Sequence, residues 1–244
     1  MRMKERDEED PKFTKEMFIE TINHIKKKAA NKYKSITKGG QSLLNALYRL
    51  YEVVWNEEVV PETWRETLII QIDKDVKKDK SDLENKRNIH TKEEWPKFFS
   101  HVLMNQIKPK IVKKISPFQI GAIPGHRPQE HLFTLKSMIT LVERNDDAIA
   151  MKLLDLVKFF DSEHLVDAMN ELYKSDVKGK LYRLEYEMNK KTRIRVKTTV
   201  GVSESREVKE IIQQGSIDGA IVSSSNLSSG VDDFFKSSEM EINY

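Results

Sequence analysis

The chain has 244 residues, and 38% of them are hydrophobic, which is enough to bury the core of one large domain or two small ones. It has no cysteine, which excludes a disulfide framework, a thiolate nucleophile and a cysteine-based zinc site. The 42 basic residues nearly balance the 39 acidic ones, so the net charge of +3 does not by itself predict nucleic-acid binding.

The distribution of apolar and basic residues gives two further expectations. No apolar run approaches the roughly 20 residues that cross a bilayer, and the charged start is unlike a signal peptide, so we expect a soluble, intracellular protein without membrane contact. Basic residues cluster in three places, where they can neutralise phosphates, although a solvated surface explains each cluster equally well. The clusters are Lys26, Lys27 and Lys28; Lys74, Lys77, Lys78, Lys80, Lys86 and Arg87; and Arg193, Arg195 and Lys197.

Residues 1–60 predict a helical extension. Residues 1–12 are charged and are expected to be disordered, and residues 29–42 have the composition of a loop. Apolar residues recur at helical spacing on both sides of that loop. The two stripes are Met17, Phe18, Ile22 and Ile25, and then Leu44, Leu47, Tyr51, Val54 and Trp55. Pro61 is expected to end the second helix.

Residues 61–118 begin with the short, apolar and β-branched run 67–72, which predicts a buried strand followed by an exposed lysine-rich turn. Thr91 and Glu94 have the spacing of a capping box and predict the start of a helix that extends to Ile111. Pro109 is expected to bend or break that helix.

Residues 119–244 predict further helices and two strands. Helical stripes lie around residues 132–142, 165–172 and 182–188, and a last helix is expected at 216–236. Residues 148–156 predict a strand, and residues 192–200 alternate in the way of a half-exposed strand. Because helices outnumber strands and separate them, we expect an α+β fold with a small sheet.

The clearest chemical feature is Asp155, which lies near the end of the apolar run 148–156. A carboxylate at the tip of a buried strand requires a cation or hydrogen-bond donors. Asp161 is better explained as a cap of the following helix. A metal-facing role for Asp155 rests on the surrounding sequence.

Five segments, in this order, resemble the reverse transcriptases of non-LTR retrotransposons. The segment 60–91 resembles the fingers, and 95–111 with 116–139 resembles the helix, Gln-x-Gly turn and helix before palm motif A. The segment LLDLVKFFDSEHL, residues 153–165, resembles motif A, and 211–235 resembles motif B. The resemblance implies the helix-rich fingers and partial palm of a right-hand polymerase with a small antiparallel sheet. The implied division is a helical extension at 1–60, fingers at 61–118 and partial palm at 119–244.

The resemblance also implies site residues. Asp155 matches the first metal-binding carboxylate, and the carbonyl of Leu156 matches a further oxygen ligand for Mg²⁺. Phe160 matches the aromatic steric gate against the 2′-hydroxyl. The remaining matches concern the incoming deoxynucleotide: Lys74 and Arg87 hold its triphosphate, and Gln214 and Gly215 form the turn beside the base pair. The implied partners are an RNA template and a DNA primer, and a protein partner or larger assembly is also expected.

The sequence also departs from the family. Residues 26–36 replace a Gly-Pro-Asp-Gly type element, and Gln213 replaces a basic or small residue. No Tyr-x-Asp-Asp type pair follows motif B, and Asp232 and Asp233 are expected on a helix surface. We therefore expect a truncated polymerase fragment that is inactive alone and that uses Mg²⁺ only if its site is completed. The alternatives are a catalytically dead structural subunit and a nucleic-acid-binding protein without chemistry.

Overall fold

The structure is a computed structural model that describes residues 10–29, 32–79, 81–117, 119–121, 123, 125–151, 153, 164–208, 219, 221–224 and 227. These residues form an α+β fold in which helices pack beside one small sheet. The helices are α1 (Lys15–Ala29), α2 (Lys34–Lys38), α3 (Gly40–Glu57), α4 (Glu94–Val112), α5 (Pro128–Arg144), α6 (Leu165–Lys174) and α7 (Gly179–Asn189). The strands are β1 (Glu66–Asp73), β2 (Lys86–Thr91), β3 (Arg193–Thr198), β4 (Gly201–Val202) and β5 (Arg206–Glu207).

The helices α1 and α3 confirm the two stripes of the N-terminal region. The predicted loop between them contains the short helix α2, because its Ile36 is buried in the core and favours an ordered turn. Helix α3 ends at Glu57, four residues before Pro61. The next residue, Glu58, adopts a left-handed conformation with a φ of 56°. Residues 10–12, which were expected to be disordered, lie against the folded helices, and the carbonyl of Pro11 accepts a hydrogen bond from the Trp55 indole.

The strands form one mixed sheet in the order β2-β1-β3-β4, and β5 pairs with β3. Strand β1 pairs antiparallel with β2 but parallel with β3. The expectation of an antiparallel sheet is therefore wrong for β1 and β3. The expectation that helices separate all strands is also wrong, since β1 and β2 are consecutive and β3, β4 and β5 follow one another. A parallel neighbour requires a long crossover, which here contains α4 to α7.

The predicted cap of α4 is wrong, and the predicted break at Pro109 does not occur. The helix begins at Glu94 with Glu93 as its N-cap, because Thr91 belongs to β2 and its hydroxyl donates to the Leu68 carbonyl of β1 at 3.0 Å. Pro109 lies inside the helix, which continues to Val112. A proline removes one helical hydrogen bond, and the buried side chains of Ile107 and Ile111 hold this last turn in the core.

The predicted strand at 148–156 is wrong for the residues that the structure describes there. Residues 148–151 and 153 have no regular secondary structure, and the side chain of Leu153 is 83% exposed. An apolar run becomes a strand only where a neighbouring strand pairs with it, which the sequence pattern does not reveal. Residues 152, 154, 155 and 156 lie outside the described residues.

The remaining predicted elements largely agree with the structure. Strand β1 contains residues 67–72, β3 contains most of the predicted strand at 192–200, and α5, α6 and α7 correspond to the three predicted helices. In the region of the last predicted helix, residues 219, 221–224 and 227 are helical. Helix α5 has no buried residue among those that the structure describes in it, so its apolar stripe faces solvent.

One hydrophobic cluster joins α1, α3, α4, α6 and α7 and extends from Phe13 to Val222. Aromatic rings fill its N-terminal half, where Tyr51 stacks on Phe98 with ring centroids 5.4 Å apart. The cluster therefore contains residues from all three predicted segments, and the division at 60 and 118 stays a prediction.

A half-buried histidine beside the core predicts a pH dependence of stability. His101 lies 2.9 Å from the Tyr33 hydroxyl, and burial, with the neighbouring charges of His24, Lys108 and Lys97, lowers the pKa of His101 to about 4. The unfolded chain therefore binds an extra proton between about pH 4 and 6.5, so the free energy of unfolding falls as the pH falls through this window.

We expect the free energy of unfolding of the wild type to be about 2 kcal/mol lower near pH 5 than near pH 7 because of His101. Urea unfolding of the wild type and of His101→Gln at both pH values measures this contribution. The variant should lose that share of the pH dependence. An equal pH dependence in both proteins would contradict the assignment to His101.

Candidate nucleic-acid interface

Hydrogen bonds between residues 74–75 and Asn85 fix the base of the turn between β1 and β2. The buried Asn85 side chain accepts a hydrogen bond from the Asp75 backbone N–H and donates one to the Asp75 carbonyl, both at 2.9 Å. The Lys74 backbone N–H donates to the Asn85 carbonyl at 2.7 Å. Asparagine satisfies both polar groups of the facing backbone, so this end of the hairpin is rigidly positioned.

The turn brings Lys74 and Arg87, the two predicted triphosphate-binding residues, to the same end of the hairpin. Asp73 and Lys86 form the last pair of the two strands before the turn, and Lys74 follows Asp73. Arg87 belongs to the neighbouring pair, opposite Ile72. The Lys74 ammonium donates to the Glu84 carbonyl at 2.9 Å and so helps to close the turn. Arg87 is exposed on the sheet.

The register of the strands places Arg87 on the same face as the third basic cluster. Opposite residues of neighbouring strands share a face, and side chains alternate between faces along a strand. Leu68 lies opposite Arg195, Ile70 opposite Lys197 and Ile72 opposite Arg87. We call this surface the cationic face. Its members are Arg87, Arg193, Arg195 and Lys197, with the apolar strip Leu68, Ile70 and Ile72 between β2 and β3.

The opposite face of the sheet is the more buried one, and the cationic face lies toward solvent. Thr67, Ile69 and His90 point to the inner face and are buried. All four basic residues of the cationic face are exposed, and Ile72 at the end of the strip is 53% exposed. The face therefore offers both charge and apolar surface to a ligand.

Two acidic residues share the cationic face, since Glu66 and Glu207 lie opposite Arg193 in the sheet. Arg195 lies 3.9 Å from Glu66, and exposed pairs of this kind contribute little because water and salt screen them. The side chain of Arg195 also donates to the Ser203 carbonyl at 3.3 Å, and that of Arg193 to the Ser205 hydroxyl at 3.2 Å. Each guanidinium has five N–H donors, and these hydrogen bonds orient it while using one of them.

The spacing of the cations suits an extended polyanion. Alternate residues of a strand lie about 6.6 Å apart, so Arg193, Arg195 and Lys197 form a row about 13 Å long. Arg87 lies two strands away, or about 10 Å across the sheet. A sugar-phosphate backbone can follow the row while its bases or sugars cover the apolar strip.

The other predicted site residues cannot be placed in this geometry. Asp155, Leu156, Phe160, Gln214 and Gly215 all lie outside the described residues. Among the residues that the structure does describe, no group of three or more histidine or acidic side chains could hold a metal ion.

Comparisons with known proteins add no family assignment. No protein-family model matches the chain, and no curated protein matches it either. None of the described helices is long and apolar enough to span a membrane.

Sequence reasoning missed the cationic face as a single surface. The alternation in residues 193–197 predicted an exposed basic row, and Arg87 was identified separately, in the second basic cluster and through the family resemblance. The parallel pairing of β1 with β3, across more than a hundred residues, joins the two groups. Neither the alternation nor the basic clusters contain a signal for that pairing.

Proposed function

We propose that the chain is a reverse-transcriptase-derived domain of the non-LTR retrotransposon type that binds a primed RNA template and lacks polymerase activity by itself. One observation carries the binding: Arg87, Arg193, Arg195 and Lys197 share one solvent-exposed face of the sheet. The assignment to this family rests on the five ordered sequence segments.

The chemistry of the cationic face favours nucleic acid over other polyanions. Three of its four cations are arginines, which bind phosphate oxygens bidentately, whereas lysine acts as a point charge. The apolar strip of Leu68, Ile70 and Ile72 offers contact area to sugars and bases, which a purely charged partner would leave exposed.

The hairpin geometry supports the reverse-transcriptase origin. The resemblance implies that Lys74 and Arg87 act together on a triphosphate, and the fixed turn holds them at one end of the β1–β2 hairpin. Binding of a primed template can be measured by filter retention at several salt concentrations. The proposal requires retention at low salt and a steep loss of affinity as salt increases.

We expect the purified chain not to extend a DNA primer on an RNA template with Mg²⁺ or Mn²⁺. Magnesium in such enzymes stabilises charge on the attacking and leaving oxygens. The mechanism needs two magnesium ions, which repel each other and must be held by several carboxylates. In these 244 residues Asp155 is the only carboxylate that matches a metal ligand of the family. Gel analysis of primer extension measures this. Extension that disappears in Asp155→Ala would contradict the expected inactivity.

A nucleic-acid-binding protein without chemistry is the second candidate. It is favoured by the Lys74 ammonium, which donates to the Glu84 carbonyl within the turn. If Lys74→Gln leaves the binding of deoxynucleotide triphosphates unchanged while the cationic face still retains RNA, this second candidate replaces the first.

A further inference from the structure

A solvent-exposed cleft lies between α1 and α3, away from the strands of the sheet. Its volume is about 610 Å³, and its floor is apolar, formed by Phe18 and Ile22 of α1 and by Leu44 and Tyr48 of α3. The Phe18 and Tyr48 rings meet edge to face, with centroids 5.7 Å apart, so aromatic contacts hold the two walls together.

The apolar floor continues onto an exposed rim. The side chain of Ile19 is 44% exposed and lines the cleft, and Leu44 and Tyr48 are half-buried. A trough between two helices that keeps apolar side chains in contact with water matches the surface on which amphipathic helices dock.

The charges at the rim are mainly positive. Lys15 and Lys26 lie at the two ends of the cleft on α1, and Arg49 lines it from α3. Glu52 is the acidic side chain among the described lining residues, and it accepts a hydrogen bond from the Tyr48 hydroxyl at 3.2 Å. The cleft therefore complements a ligand with negative charge at both ends.

The distance between the two lysines sets the length of that ligand. Lys15 and Lys26 are eleven residues apart in α1, which corresponds to about 16 Å or three helical turns. A helix of three turns presents apolar side chains at i, i+3, i+4 and i+7 to one floor.

We propose that the α1/α3 cleft is a docking site for an acidic amphipathic helix of a protein partner. The apolar side of that helix covers Ile19, Leu44 and Tyr48 above the buried Phe18 and Ile22, while carboxylates near its two ends contact Lys15 and Lys26. This site is independent of the cationic face, since none of its residues belongs to the sheet.

A synthetic peptide of about three turns tests the site, with Leu at i, i+3, i+4 and i+7 and Glu at both ends. Fluorescence anisotropy of the labelled peptide gives its affinity for the full chain. Two variants probe the two contacts: Lys15→Glu with Lys26→Glu reverses the end charges, and Ile19→Asp places a charge at the apolar rim. Lys27→Glu with Lys34→Glu is the matched control, because both lysines are exposed, on α1 and α2, and neither lines the cleft.

The double reversal of Lys15 and Lys26 should weaken binding about tenfold or more, and Ile19→Asp should weaken it by a similar factor. The control double reversal of Lys27 and Lys34 should change it less than about twofold. A version of the peptide with Lys at both ends should bind more weakly than the acidic peptide. Circular dichroism of each variant establishes that the helices remain folded.

Several results would overturn the proposal. They are the absence of binding at about 1 mM acidic peptide, equal binding to all variants, and tighter binding of the basic peptide. Sedimentation analysis provides another test: a dimer that dissociates in Ile19→Asp would assign the cleft to a second copy of the chain. Displacement of the peptide by primed RNA would assign the cleft to nucleic acid.

Discussion

Replacing Arg193, Arg195 and Lys197 together with glutamine is expected to lower the affinity for a primed RNA template about a hundredfold at 0.1 M salt. Each phosphate contact contributes roughly 0.7 to 0.9 to the slope of log affinity against log salt concentration, so three lost contacts reduce the slope by about 2 to 2.7. Glutamine retains most of the side-chain length and removes the charge. The slope therefore separates lost phosphate contacts from general damage to the sheet.

A matched triple variant controls for the change in net charge. Lys27, Lys34 and Lys38 are exposed on α1 and α2, and their replacement with glutamine removes the same three charges from helices outside the sheet. This control should retain most of the affinity and the salt slope. Equal losses in both triple variants would show that binding depends on net charge, which contradicts a role for the cationic face.

Replacing Arg183 with methionine is expected to lower the free energy of unfolding by about 3 to 4 kcal/mol. The guanidinium of Arg183 in α7 binds Asp10 at 3.0 Å and Glu58 at 2.9 Å. It thereby connects the segment before α1, the end of α3 and α7. The side chains of all three residues are largely buried, so the variant leaves two carboxylates without their cation.

The guanidinium of Arg183 stays protonated, because hydrogen bonds to Glu58 and Asp10 raise its pKa. Urea unfolding near pH 7 measures the loss in Arg183→Met. The triple variant Arg183→Met, Asp10→Asn, Glu58→Gln removes the stranded charges and should recover a large part of the stability. If the triple variant is no more stable than Arg183→Met, the loss comes from packing and the account of the ion-pair network is wrong.

The helices were predictable where their signal is local. The stripe of Leu47, Tyr51, Val54 and Trp55 identified α3 because each of these side chains faces the same core. Predictions failed where a distant partner decides the outcome. Thr91 has the spacing of a helix cap but joins β2, because its hydroxyl and backbone are used by β1.

The candidate site shows the same division between local and distant signals. The exposed row of Arg193, Arg195 and Lys197 follows from alternation alone. Its assembly with Arg87 depends on β1, which pairs with β2 on one side and with β3 on the other. The two hydrogen bonds between the Asn85 side chain and the Asp75 backbone were also missed. Asparagine is common in turns, and these bonds form only in the folded hairpin.

The most direct test of the account is to map where a primed RNA template contacts the chain. A template that carries 4-thiouridine can be crosslinked by light at low salt, and the modified peptides can be identified by mass spectrometry. Crosslinks are expected in β1, β2 and β3, within residues 68–72, at Arg87 and within residues 193–197. Efficient crosslinking confined to α1 and α3, with none in the sheet, would contradict the claim that the cationic face binds nucleic acid.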